Sequence, residues 1–175
     1  MPAEHKVPAG PPAPVRQDAR MEALLKGAFA SFNPTFGYSV DEVTVTVKPE
    51  QIRQACQLAK TDPRLDFDYL RCLSVVEYKD NYQVVYHLYS TSKRHKTVLK
   101  ADLPKDNPVV PSVVPVWRGA DWHEREGAEL FGVTFSEHPH PEKLLLFEDF
   151  EGKFPLRKDY PFEDIQDWKG ESPKG

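Results

Sequence analysis

The sequence predicts an α+β domain: helix, strand, helix, then three strands in a meander, forming a two-layer unit with a mixed sheet. A short helix and an extended C-terminal tail follow. Three observations carry this. Apolar residues recur at helical spacing from Met21 to Phe32, and they alternate strictly from Val43 to Val47. Two strand-like runs then flank Asp80-Asn81, a two-residue turn signal. Third, the 17 prolines outnumber the 9 glycines and cluster at the two ends of the chain.

Residues 1–17 carry five of those prolines among small and polar neighbours, a composition that cannot bury enough apolar area to order itself. A flexible N-terminal tail is expected there. Asp18 is placed to cap the first helix. Met21, Leu24, Leu25, Ala28, Phe29 and Phe32 form its apolar stripe, and Asn33-Pro34 stops it. Val43, Val45 and Val47 alternate with polar residues as a half-buried strand. Pro49 opens a second helix with Ile52, Ala55, Cys56 and Ala59 on one face, ending at Thr61-Asp62-Pro63.

The three strands of the meander are expected at 72–79, 82–89 and 96–103, with the polar loop 90–95 before the last. The strand at 43–47 reaches them through a crossover helix, so it should run parallel to a neighbour, with the helices on one face. Ser112 is placed to cap a short turn over 113–117. Asp121-Trp122-His123-Glu124 has the spacing of a capping box, and Gly132 suits a left-handed helix end. Domain organisation follows: a tail over 1–17, the α+β domain over 18–135, and an extended segment over 136–175. That last segment loses periodicity yet is rich in Leu, Phe, Tyr and Trp, so it needs a surface to lie on.

Composition excludes several classes. The chain of 175 residues has a formal net charge of -4, against a general nucleic-acid binder. No apolar run reaches the ~18 residues of a membrane span, and the first residues lack the apolar core of a secretory signal. Cys56 and Cys72 are too few for a disulfide framework, a zinc set or an iron–sulfur cluster. No phosphate-binding loop or serine-hydrolase elbow occurs. The histidines at 123, 138 and 140 lack the spacing of a metal-binding helix. Lys93, Arg94, His95, Lys96 and Lys100 read as a solvated hairpin end, with an acidic partner as the alternative. A stand-alone hydrolase would use Glu124, Glu126 and His123; ion pairing of Arg125 with its flanking acids is the simpler reading. The residues favour an interaction protein over an enzyme.

The stretch 117–161 carries a resemblance. Trp117, Gly119 to Trp122, Glu124-Arg125-Glu126, Glu129, Phe131-Gly132, His138-Pro139, Lys143 to Leu146 and Pro155-Leu156-Arg157-Lys158-Asp159-Tyr160 fall at fixed spacings. This pattern resembles the signature of the C-type subunit of NADH:quinone oxidoreductase, the 30-kDa-type subunit of respiratory complex I. Gly127 departs from it, standing where the family usually has a bulkier residue, and should loosen its helix.

The resemblance implies a peripheral-arm subunit that carries no cofactor, catalytic group or metal of its own. FMN and iron–sulfur clusters would sit in partner chains that pass electrons from NADH to quinone, coupled to proton translocation. Its implied partners are the large quinone-site subunit (D type) and the iron–sulfur subunits (B and I types), with no homo-oligomer. Its implied location is the cytoplasmic side of the cell membrane, peripheral and within a complex. The homologous subunit of a membrane-bound hydrogenase or another donor-linked quinone oxidoreductase fits the same signature. Trp122, Arg125, Phe131, Arg157, Asp159 and Tyr160 are the expected interface anchors.

Overall fold

The computed structural model describes residues 18–161. The expected N-terminal tail and the end of the C-terminal segment, residues 162–175, lie outside the described residues. Helix α1 (Ala19–Ala28) begins where expected: Asp18 accepts a hydrogen bond from the Met21 amide at 3.0 Å. Met21, Leu25 and Phe29 are buried beneath it. A single 3₁₀ turn (Ala30–Phe32) and Asn33 in the left-handed region then reverse the chain.

A hairpin of β1 (Thr35–Ser39) and β2 (Glu42–Val47) follows. The first of these strands was not foreseen. Phe36 and Tyr38 alternate as a strand requires, but the turn Val40-Asp41 has neither glycine nor asparagine to mark it. Helix α2 (Ile52–Thr61) buries Ile52, Ala55, Cys56 and Ala59, the predicted face. The meander comprises β3 (Tyr69–Glu77), β4 (Asn81–Tyr89) and β5 (Lys96–Pro104). Its first reversal lies between Tyr78 and Asn81, whose amide and carbonyl bond at 2.8 Å, one residue earlier than the Asp80-Asn81 signal.

These five strands form one mixed sheet in the order β1-β2-β5-β4-β3. The predicted parallel pairing is between β2 and β5, with Val45 opposite Leu99. Register fixes two faces. One row runs Val45, Leu99, Tyr86, Leu73 and the next Val47, Ala101, Val84, Val75; all are buried on the helix side. The opposite face carries Thr46, Lys100, Val85 and Ser74, and an ionic cluster in which Glu42 receives Arg71 at 3.1 Å and Lys96 at 3.5 Å.

A second, two-stranded parallel sheet was also unforeseen: β6 (Val109–Pro111) pairs with β7 (Thr134–Ser136). Three-residue strands carry too little periodicity to be read from sequence. Between them lies α3 (Ala120–Phe131), ended by Gly132 at φ +73° as expected. The capping box is corrected, however. The helix begins at Ala120, Gly119 precedes it without a side-chain cap, and Glu124 points inward instead. Gly127 has a packing role as well. A Cβ there would lie 2.7 Å from Val75 Cγ2 and 3.4 Å from the Phe135 ring, so the glycine allows α3 to approach β3 and β7.

Candidate functional site: helix α3 and the C-terminal segment

The signature residues lie on α3 and on the chain that returns along it, but they divide into internal and outward groups. Trp117 is 5% exposed, and its indole N–H donates to the Phe67 carbonyl at 3.2 Å. It is a core residue, not an interface anchor. Glu124 is buried completely and accepts the Val113 amide at 2.7 Å. Burial pushes its carboxyl up to about 7, although the Ser112 hydroxyl, the Val113 amide and the Arg53 charge oppose that shift. Nearby Tyr86 and Cys56 are also raised well above their ordinary values by burial.

The segment after β7 forms no further strand among the described residues but turns repeatedly, with a 3₁₀ turn at Glu148–Phe150, and it lies on this domain's own helix. Arg125 donates to the Glu142 and Lys143 carbonyls, both at 2.8 Å. Glu129 accepts the amides of Leu144, Leu145 and Leu146 at 2.9, 2.8 and 3.3 Å. Two charged side chains four residues apart on α3 therefore satisfy consecutive polar groups of a chain that has no strand partner. The expectation that Arg125 pairs with Glu124 and Glu126 is overturned: its charge is used on backbone carbonyls, with Asp121 3.9 Å away.

Further along, the Leu156 amide donates to the Leu130 carbonyl at 3.2 Å, and Arg157 Nε donates to the Phe131 carbonyl at 2.7 Å. The Arg157 guanidinium stacks on Phe154 at 4.1 Å from its centroid. Glu77, at the end of β3, accepts from Lys105 at 2.7 Å and from the Lys158 amide at 2.7 Å. Those bonds hold its carboxyl below the usual range, the Lys105 contact most strongly. Pro155 is half-buried, Lys158 and Asp159 are exposed, and the half-buried Tyr160 returns its amide to Arg157.

Arg53 was missed in the sequence, where it reads as one polar residue of α2. It donates to the Ser112 carbonyl at 2.6 Å, the Ser136 carbonyl at 3.2 Å and Glu137 at 2.6 Å, joining α2 to both short strands' ends. Its partners lie up to 84 residues away, so no local pattern signals them. A cavity of about 350 Å³ lies between α3, β7 and residues 141–154, walled by Ala128, Val133, Phe135, Leu146, Phe150 and Phe154.

The hydrolase reading fails on geometry. Glu124 is internal, whereas His123 and Glu126 form a loose 4.0 Å pair at the surface. The imidazole beside Glu124 belongs to His138, 3% exposed, with Nε2 3.8 Å from Glu124 Oε2. Its following Pro139 is exposed. Among the described residues, no cluster of three His, Cys, Asp or Glu is placed to hold a metal ion. No helix among them is long and apolar enough to cross a membrane.

Four exposed large apolar side chains lie on α3 and the segment that returns along it. Trp122 is 68% exposed, Leu145 56%, Phe147 80% and Leu156 53%. Of the expected anchors, Arg125 and Arg157 donate to backbone carbonyls across the contact between α3 and the returning segment, and the Phe131 carbonyl receives Arg157.

Comparison with known proteins agrees with the signature. Residues 45–166 match the family described as respiratory-chain NADH dehydrogenase, 30 Kd subunit. The NADH-quinone oxidoreductase C subunit of Roseiflexus castenholzii is 38% identical over 146 residues, covering 82% of this chain and 81% of that protein. The F(420)H(2) dehydrogenase C subunit of Methanosarcina mazei is 40% identical over 116 residues, 65% of this chain and 72% of that protein. A chain in the structure of an archaeal membrane-bound sulfane sulfur reductase shares the fold with a TM-score of 0.72 at 19% identity, covering 89% of this chain and 94% of that one. The matched family, the identity over most of the chain and the α3-centred signature lead to one conclusion: this chain belongs to the 30-kDa subunit family of respiratory-chain NADH dehydrogenases, which includes the C subunits of the NADH-quinone oxidoreductases.

Proposed function

We propose that the chain is a structural subunit of the peripheral arm of NADH:quinone oxidoreductase, with no cofactor of its own. It supports electron transfer from NADH, through FMN and iron–sulfur clusters in partner subunits, to quinone, coupled to proton translocation. It docks on the large quinone-site subunit and the neighbouring iron–sulfur subunits, on the cytoplasmic side of the membrane and peripheral to it.

The observation that carries this reading is the outward set Trp122, Leu145, Phe147 and Leu156 on α3 and the returning segment. Large apolar side chains held outward on a hydrogen-bonded framework stay exposed at a cost of roughly 25 cal/mol per Å², which a partner surface recovers. Aromatic anchors of this kind dominate interface energies. A subunit without reacting groups matters to turnover by fixing its neighbours' spacing, since small displacements of reacting groups cost large factors in rate.

Mild detergent extraction followed by native electrophoresis tests the docking. The chain should migrate within a large assembly and be lost from it when truncated after Ser136. Migration only as a free ~20 kDa monomer (a size set by the chain's own mass, the span of one domain) would overturn the reading.

A second reading concerns the electron donor. The relative from Methanosarcina mazei is named for F(420)H(2), so subunits of this kind are used with more than one donor. Mass spectrometry of the co-purifying donor-binding subunit separates the two.

A further inference from the structure

At the root of the returning segment, two carboxylates meet one imidazole. Asp121 Oδ1 lies 3.6 Å and Glu124 Oε2 3.8 Å from His138 Nε2. Both oxygens are buried, neither has a hydrogen-bond partner among the described residues, and the Glu124 side chain is fully enclosed. On the other side of the ring, Nδ1 accepts the His140 amide at 3.0 Å. That bond puts the single proton of a neutral ring on Nε2, facing both acids and the Asp121 carbonyl at 3.3 Å.

One N–H cannot serve three acceptors. With one more proton in the trio, held as a Glu124 carboxylic acid, Asp121 is the one charged acceptor facing Nε2–H, and Nδ1 stays free to accept the His140 amide. Without it, two carboxylates face one neutral ring in a site with little water, and one oxygen remains unsatisfied. We propose that Asp121, Glu124 and His138 form a proton-dependent clamp. It pins residues 138–141 to the first turns of α3 while the shared proton is present, and loosens them when that proton leaves.

The surroundings place this exchange near neutrality. Burial raises the Glu124 carboxyl to about 7 against the opposing charge of Arg53 on α2. Arg53 is itself paired to Glu137 at 2.6 Å, and Arg125 Nη1 stands 3.9 Å from Asp121 Oδ1. Cys56 on α2 and Tyr86 on β4 also face Glu124, but burial keeps both neutral across this range. His123 and Glu126 pair with each other on the exposed side of α3. Glu137 at φ +58° and the prolines at 139 and 141 make the clamped stretch stiff, so it transmits the state of the ring to the chain direction.

The test uses the full-length chain. NMR follows the Glu124 side-chain carboxyl carbon, the His138 ring nitrogens and the His140 amide from about pH 5.5 to about 8.5, a range centred on the raised Glu124 carboxyl. All three should respond in a common step, and protection of the His140 amide against exchange should fall about tenfold or more through it. In Glu124→Gln, and separately in Asp121→Asn, that fall should be reduced while exchange elsewhere in α3 is unchanged. A Glu124 step that leaves the wild-type His138 ring nitrogens unmoved, or a His140 protection that ignores pH, would overturn the clamp. Because every readout lies within one chain, its failure leaves the docking role untouched, and loss of docking leaves the clamp untouched.

Discussion

Arg157 occupies the space that a side chain at position 132 would need. A Cβ on Gly132 would lie 2.3 Å from Arg157 Nη2 and 2.8 Å from the Phe154 ring, and the backbone there has φ +73°. The helix end and the returning segment are thus fitted to each other at one glycine.

Gly132→Ala should therefore cost stability twice. The left-handed backbone costs a residue with a Cβ about 1–2 kcal/mol, and crowding of Arg157 and Phe154 adds a similar amount. Denaturant unfolding should give a total loss of about 3 kcal/mol. Amide exchange should rise specifically at 154–158, because the Arg157 bond to the Phe131 carbonyl is displaced. Unchanged exchange there would refute the fitted contact.

Gly127→Ala sets two effects against each other. Helix propensity favours alanine by about 1 kcal/mol. The new methyl group would meet Val75 Cγ2 at 2.7 Å, and overpacking costs about 1–3 kcal/mol. A net loss is expected, and Val75→Ala in the same chain should recover part of it. Additive effects in that double-mutant cycle would show that the approach of α3 to β3 is not the cause.

Glu124 gives a pH signature. Its carboxyl is raised from 4.5 to about 7 in the folded chain, so the folded state holds a proton that the unfolded state releases. This contribution is complete below about 4.5 and is lost as pH rises through about 7. At about 1.4 kcal/mol per pH unit it amounts to about 3 kcal/mol. Stability measured by urea titration should fall by that order between about pH 4.5 and about pH 8, and Glu124→Gln should flatten this component.

Val40 offers the opposite case. Ser39 and Glu42 close a two-residue turn, and Val40 at its first central position has φ +57° while 68% exposed. A β-branched residue is strained in that region, and turns of this shape favour glycine. Val40→Gly should raise stability by about 1 kcal/mol in thermal or denaturant unfolding. A loss would mean that the exposed isopropyl group makes a compensating contact.

The α1 and α2 stripes, the valine alternation and the parallel strand were legible because each is a local period with a buried face. Strand β1 was not, because Val40-Asp41 lacks the residues that usually mark a tight hairpin. Glu124 shows the limit more sharply. Its three-residue spacing from Asp121 fits a capping box and an inward helix face equally well. The loop at Ser112-Val113 and the return through His138 decide between them, and both arrive from elsewhere in the chain. Arg53 is the same case at longer range. The signature itself was readable, but which of its residues face inward was not.

The order β1-β2-β5-β4-β3 also dictates a route of assembly. The hairpin β1–β2 and the meander β3–β4–β5 each close through short turns, so both can form early from neighbouring residues. Only the pairing of Val45 with Leu99 spans a long stretch of chain, and it must wait until β5 has emerged and folded. During synthesis the N-terminal hairpin and its helices would be held in reserve. The open edge of β2 is covered in a single late step that completes the core, whereas α3, packed on β3 and β7, finds its surface on the meander without waiting for it.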